Sequence, residues 1–204
     1  MARPRVRERL LDAAYALLSD EGAAALTTRG VAARAGTTEA SVFNNFGDKA
    51  GLLRALIGER LPQLVDARDC VEQGDSAELR QWLCRVYDSA EAFYMAVVPL
   101  MAPFWAGSVR DLAGKIEADR LLPVQGALSQ RLQALQRAGS ISGAADVCAL
   151  SSLFLGAALH SALHRVANRP ALTPGGQSGS AAVFGEPPSA AREIVDCIYP
   201  LLKP

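Results

Sequence analysis

Apolar residues in this chain recur every three or four positions along most of its length, the spacing of helices that bury one face. In the first segment Val6, Leu10, Ala13, Ala14, Leu17 and Leu18 fall on one side, with Arg9, Asp12 and Asp20 on the other. Gly22 stands where such a helix closes on a left-handed residue. A short helix is predicted from Thr28 to Ala35, with Thr27 as N-cap and Gly36 closing it. Thr38 is placed to cap a third helix bearing Val42, Phe43 and Phe46. Gly47 ends that helix, and Asp48 caps a fourth that begins at Lys49. No stretch alternates with β-branched enrichment, so the expected fold class is all-α.

After Pro62 the pattern lengthens. The proline ring conflicts with the carbonyl four residues earlier, that of Gly58, so the fourth helix either bends near Gly58–Pro62 or ends near Leu61. Asp75 and Glu78 have the spacing of a capping box for a helix through Trp82, Leu83, Val86, Tyr87, Phe93 and Tyr94. Pro99 and Pro103 are expected to break the following stretch into short pieces. Further helices are predicted over 123–138, ended by Gly139, over 144–167 and over 189–202. Residues 168–188 hold 4 Gly, 4 Pro and 2 Ser without periodicity, which predicts a mobile loop.

The chain has 204 residues, 50% of them hydrophobic, with 21 basic and 21 acidic side chains. That suits one large or two small domains with a real core, and excludes a disordered tail or a disulfide scaffold. A net charge of zero excludes a wholly basic surface but leaves room for a local basic patch: residues 1–60 carry 9 basic and 7 acidic groups, a balance of +2. Cys70, Cys84, Cys148 and Cys197 lack ligand spacing and are expected to be free thiols in a reducing compartment. No signal peptide is read at the start, because the basic residues lead into a segment bearing Asp12. Between Asp146 and Arg165 lie 18 residues without a charge, close to the length of a membrane span. Its serines and histidines, and the lack of a second such run, favour a helix buried at a subunit interface of a cytoplasmic protein.

The informative segment is 27–53, TTRGVAARAGTTEASVFNNFGDKAGLL. It places two short helices around a tight glycine turn, with Val31 and Ala32 facing Val42 and Phe46 and small residues permitting close approach. The runs Thr27-x-Arg29-x-Val31-Ala32-x-Arg34-Ala35-Gly36 and Ser41-Val42-Phe43-x-x-Phe46, with Asp48-Lys49 and Leu52-Leu53 beyond, are more specific than a bare helix-turn-helix. Over residues 5–60 the chain strongly resembles the DNA-binding head of TetR-type bacterial transcriptional regulators. The resemblance implies a head over 1–48 and a helical body over 49–204 whose last two helices dimerise and whose core holds a ligand. It implies a repressor that binds a palindromic operator on double-stranded DNA as a homodimer and is released by a small, largely apolar effector. The alternatives are an activator, a co-repressor-dependent regulator, or a helical carrier or enzyme. No Ser/His/Asp order, phosphate loop or carboxylate cluster supports an enzyme, and no cofactor is expected.

Hydroxyls at helix N-termini suit phosphate, which singles out Thr27, Thr28, Thr37 and Thr38. Lys49 stands where the family places a backbone-contacting lysine. Base edges are expected to be read by Glu39, Ala40, Ser41 and Asn44; asparagine pairs with adenine, and glutamate accepts from the cytosine amino group. Phe43 replaces a common tyrosine and loses a phosphate-binding hydroxyl. Asn45 replaces a common histidine but keeps an amide donor. Gly30 and Gly51 stand where better helix formers are usual. With no Arg or Lys on the recognition helix, readout is expected to lean on DNA shape and on an arm of Arg3, Arg5, Arg7 and Arg9. In the body, Tyr87, Phe93, Tyr94, Met101, Phe104 and Trp105 either line an apolar pocket or fill the core. His160 and His164 have metal spacing but no third ligand nearby, so His160 is read as a pocket or interface hydrogen bond and no metal site is assigned.

Overall fold

The computed structural model describes residues 3–74, 78–106, 123–168 and 190–203. Among these every long regular element is an α-helix, as the periodicity predicts. They are α1 (Arg3–Glu21), α2 (Thr28–Arg34), α3 (Glu39–Phe46), α4 (Lys49–Arg60), α5 (Pro62–Glu72), α6 (Leu79–Ala106), α7 (Pro123–Arg137), α8 (Val147–Ala167) and α9 (Ala191–Leu202), with one 3-10 turn at Ala23–Ala25. Two compact units form. One is built on the residues up to Asp66 together with the segment from Pro99, the other on Ala67–Val98 and the residues from Val124 on.

In the first unit α1 packs on α2, α3 and α4. Leu10, Ala13, Ala14 and Leu17 of the stripe read from the spacing are buried, Val6 and Leu18 are half-buried, and Leu11, which the spacing did not single out, is buried with them. Asp48 caps α4 by accepting the Gly51 amide at 2.6 Å. Of the two outcomes open at Pro62, the helix ends: α4 stops at Arg60 and Leu61 is extended (ψ 114°), as a residue before proline prefers. Pro62 then opens α5 at the first position, where its missing N–H is no loss.

In the second unit Trp82, Tyr87, Phe93 and Phe154 are among the largest fully buried side chains. Tyr87 and Phe154 meet edge to face at 5.5 Å, joining α6 to α8. Asp146 caps α8 through the amides of Cys148 and Ala149, so this helix starts three residues later than its apolar run suggests.

Pro99 and Pro103 do not break the chain. α6 runs through both to Ala106. Pro99 is exposed, whereas Val98, Leu100 and Met101 around it are buried, and that packing outweighs the lost backbone hydrogen bond. The predicted cap Asp75 and the predicted loop beyond Asn168 lie outside the described residues.

Candidate nucleic-acid interface

The site is built around a turn that only glycine makes cheaply. α2 closes at Ala35, Gly36 adopts φ +63°, and the Thr37 amide returns to the Ala32 carbonyl at 2.9 Å. Thr27 caps α2 by accepting the Gly30 amide at 2.9 Å. The absence of a side chain at Gly30 has a local reason: an added Cβ would lie 2.9 Å from the Thr27 hydroxyl oxygen. The constraint at Gly51 is harder, since a Cβ there would overlap the Phe46 carbonyl oxygen. Both glycines permit tight helix starts that a better helix former would obstruct.

Val31, Ala32 and Val42 are buried, which fixes the rotation of α3. Its outward face is Glu39, Ala40, Phe43 and Asn44, all exposed, with Phe43 presenting 47% of its surface. Three of the four residues expected to read bases, Glu39, Ala40 and Asn44, therefore share one open face with Phe43. Ser41 is half-buried and occupied: the Thr37 hydroxyl donates to it at 2.9 Å, and it shares a hydrogen bond with Thr38 at 3.1 Å. Thr38 holds the N-cap position of α3 without capping an amide. Asn45 donates its amide to the Ser41 carbonyl at 2.7 Å, turning it along its own helix.

The threonines at the start of α2 diverge. Thr27 accepts the capping bond and keeps its own proton. Thr28 donates its proton to Glu39 Oε1 at 2.6 Å, across the turn. Lys49 occupies the first turn of α4, half-buried beside the cap Asp48.

Arg7 and Arg9 are not part of a free arm. α1 begins at Arg3, and by its second turn the arginines are engaged. Arg7 makes two hydrogen bonds to Glu59 of α4, each 2.6 Å, and lies 5.4 Å from the centre of the Phe46 ring. Its hydrogen bonds hold the Glu59 carboxyl below the ordinary carboxylate range, against a smaller opposing effect of burial. Arg9 donates to the Ala35 carbonyl at the end of α2. Arg34 pairs with Asp20 and Glu21, and Arg60 with Asp12 at 2.9 Å. The side chains of Arg3 and Arg5 lie outside the described residues. These pairings assemble the head, and they leave Arg29, exposed in the first turn of α2 without an ion pair among the described residues. Arg29 belongs with the candidate contacts. Its position beside Thr28 at a helix N-terminus was the available signal.

In the body, Tyr87, Phe93, Tyr94 and Met101 are core residues, each at most 4% exposed. Burial pushes the Tyr94 phenol up to about 12. The side chains of Phe104 and Trp105 lie outside the described residues, and His160 is exposed on α8. His164 meets Asn168 rather than a metal-like set, and no group of three or more His, Cys, Asp or Glu is gathered among the described residues. The spacing gave no sign of a buried polar cluster in the second unit. Glu91, 5% exposed, accepts from the Ser161 hydroxyl and pairs with Arg165 at 3.3 Å. One turn earlier on α6, the Tyr87 hydroxyl donates to the Ala157 carbonyl at 3.2 Å.

Comparison with known proteins converges on the same segment. The family model of the bacterial regulatory proteins, tetR family, matches residues 10–56. The uncharacterized HTH-type transcriptional regulator YvkB of Bacillus subtilis is 44% identical over 52 residues, 26% of this chain and 28% of that regulator. The match thus spans little more than a quarter of the relative's length. Among solved structures, a Mesorhizobium loti protein assigned to the TetR family has a TM-score of 0.64 at 16% identity, covering 98% of this chain and 96% of the other. The Bacillus subtilis regulator FadR, in complex with stearoyl-CoA, has a TM-score of 0.57 at 19% identity over 79% of this chain and 87% of its own. At these identities the structural likeness is one of fold.

Proposed function

We propose that this chain, whose residues 10–56 match the bacterial regulatory proteins of the tetR family, is a dimeric repressor which reads a two-fold symmetric operator and leaves it when a small, largely apolar molecule occupies its body. The observation that carries this reading is the face of α3: Glu39, Ala40, Phe43 and Asn44 stand exposed together over a fully buried Val42. A helix held on its inner side and open on its outer side is what insertion into a major groove requires. Residues 1–48 serve as the reading head in this account and 49–204 as the sensing and dimerising body.

Thr27, Thr37, Thr38, Arg29, Lys49 and the Asn45 amide are the proposed contacts to phosphate, and Glu39, Ala40, Ser41, Phe43 and Asn44 those to bases. Ser41 and Asn45 must release their present partners to take part. Dimerisation is supported by α8. Leu153 is 69% exposed and Leu163 40%, and Leu201 on the neighbouring α9 is 57% exposed. Cys148, Ser152, Gly156, His160 and Ala167 continue this exposed side of α8 without a charge. Such a face suits a partner copy of itself. The same helix is apolar and long enough to cross a membrane, but 39% of its apolar window is buried inside the protein. A capped, half-packed helix answers better to an interface.

An apolar effector fits a body whose core is aromatic and aliphatic, with Tyr87, Phe93, Tyr94 and Met101 as the proposed contacts. Each is buried in the present conformation, so admitting an effector requires the side chains to move. His160, on the exposed side, is better placed at the interface. The test is footprinting of the purified chain on retained fragments of its source genome. Two symmetric half-sites about one helical turn apart are expected. A single asymmetric footprint, or none, would overturn the reading.

A further inference from the structure

Glu39 is an unusual residue to place at the open end of a recognition helix, since an exposed carboxylate is repelled by phosphate. We propose that Thr28 and Glu39 form a single reading unit selective for cytosine in the major groove, an inference that rests on the DNA-binding reading above. The Thr28 hydroxyl donates to Glu39 Oε1 at 2.6 Å from the first residue of α2 to the first residue of α3. One carboxylate oxygen is thereby tethered, and Oε2 is left to accept from outside. An ionised carboxylate only accepts hydrogen bonds. In the major groove the donors are the cytosine N4 amino group and the adenine N6 amino group.

The neighbours of those amino groups decide between them. Adenine N6 is flanked by two acceptors, its own N7 and the O4 of its thymine partner. Cytosine N4 is flanked by one acceptor, the O6 of guanine, and on the other side by the C5–H edge. A carboxylate therefore meets one repulsive neighbour at cytosine and two at adenine. The tether sharpens this choice, because a carboxylate fixed through Oε1 cannot swing to follow an amino group elsewhere. Thr28 is thus a positioning residue rather than a phosphate contact, since its only hydroxyl proton is committed to Glu39.

The test is fluorescence anisotropy of the full chain on the footprinted duplex and on duplexes with each half-site base pair replaced in turn. Wild type should lose on the order of tenfold affinity when one symmetric C·G pair becomes T·A. Glu39→Gln should shift the preference at that position toward adenine, whose N6 and N7 suit a side-chain amide. Thr28→Val should flatten discrimination at that position alone, and Thr28→Ser, which keeps the hydroxyl, should restore it. Circular dichroism establishes that each variant is folded. A Glu39→Gln profile unchanged in shape, with affinity equal or uniformly raised, would overturn the inference and leave Glu39 as a charge only. A folded wild-type chain that binds no duplex would instead overturn the DNA-binding reading, and this inference with it.

Discussion

Gly51 shows how much a single missing side chain decides in the head. Alanine is ordinarily the better helix former, yet here its Cβ would overlap the Phe46 carbonyl oxygen at the join between α3 and α4. Gly51→Ala should therefore lower stability by about 1–3 kcal/mol, the usual cost of overpacking. Gly58, exposed on the same helix, has nothing within 4 Å of an added Cβ. Gly58→Ala should instead raise stability by about 0.5–1 kcal/mol. Thermal unfolding of the two variants side by side checks both signs. Acid sensitivity also belongs to this scale. The folded-state pKa of Glu59 is depressed by Arg7, so its contribution is present above the ordinary carboxylate pKa of about 4.3 and is lost as pH falls further, through the folded value. Both side chains are substantially exposed, which keeps the effect small. Melting curves of Glu59→Gln should accordingly show a weaker loss of stability below about pH 4 than wild type.

At the scale of elements, the pair on α6 and α8 gives the sharpest test of packing. Removing Arg165 would leave the Glu91 carboxylate buried without its cation. Arg165→Met should cost about 3 kcal/mol, and adding Glu91→Gln should recover much of that loss. A denaturant titration of the single and double variants measures it. This pair was invisible in the sequence, where Glu91 and Arg165 are 74 positions apart and each reads as one more polar residue on an amphipathic helix. The head was far more legible. Thr27, Gly36 and Asp48 act through neighbours within a few residues, so their caps and turn follow from local chemistry. Pro99 misled for the converse reason, since local propensity yielded to buried neighbours that periodicity alone could not weigh. The arginines at 7 and 9 misled similarly: a row of cations looks like a free arm until Glu59 and the Ala35 carbonyl are brought to it by the fold.

At the scale of the whole molecule, a two-fold symmetric operator requires two copies of the chain. Leu153 projects from α8 into open space, and a carboxylate there would sit unpaired in the proposed seam. Leu153→Asp should leave the head folded but shift the chain to monomer, with operator affinity falling at least tenfold because two linked half-sites become one. Sedimentation velocity with the operator titration checks this, and a Leu153→Asp dimer of wild-type affinity would remove α8 from the seam. The head's electrostatics bear on the same question. With Arg7, Arg34 and Arg60 held in intramolecular pairs, phosphate neutralisation should be modest, and affinity should fall with salt by a slope shallower than about −5 for the dimer. The most direct measurement is selection of sites from random duplex DNA by the purified chain, with affinity for the winners taken at two salt concentrations. One palindromic site is expected, bound by a dimer more weakly as salt rises. A folded dimer that enriches no sequence would contradict that expectation.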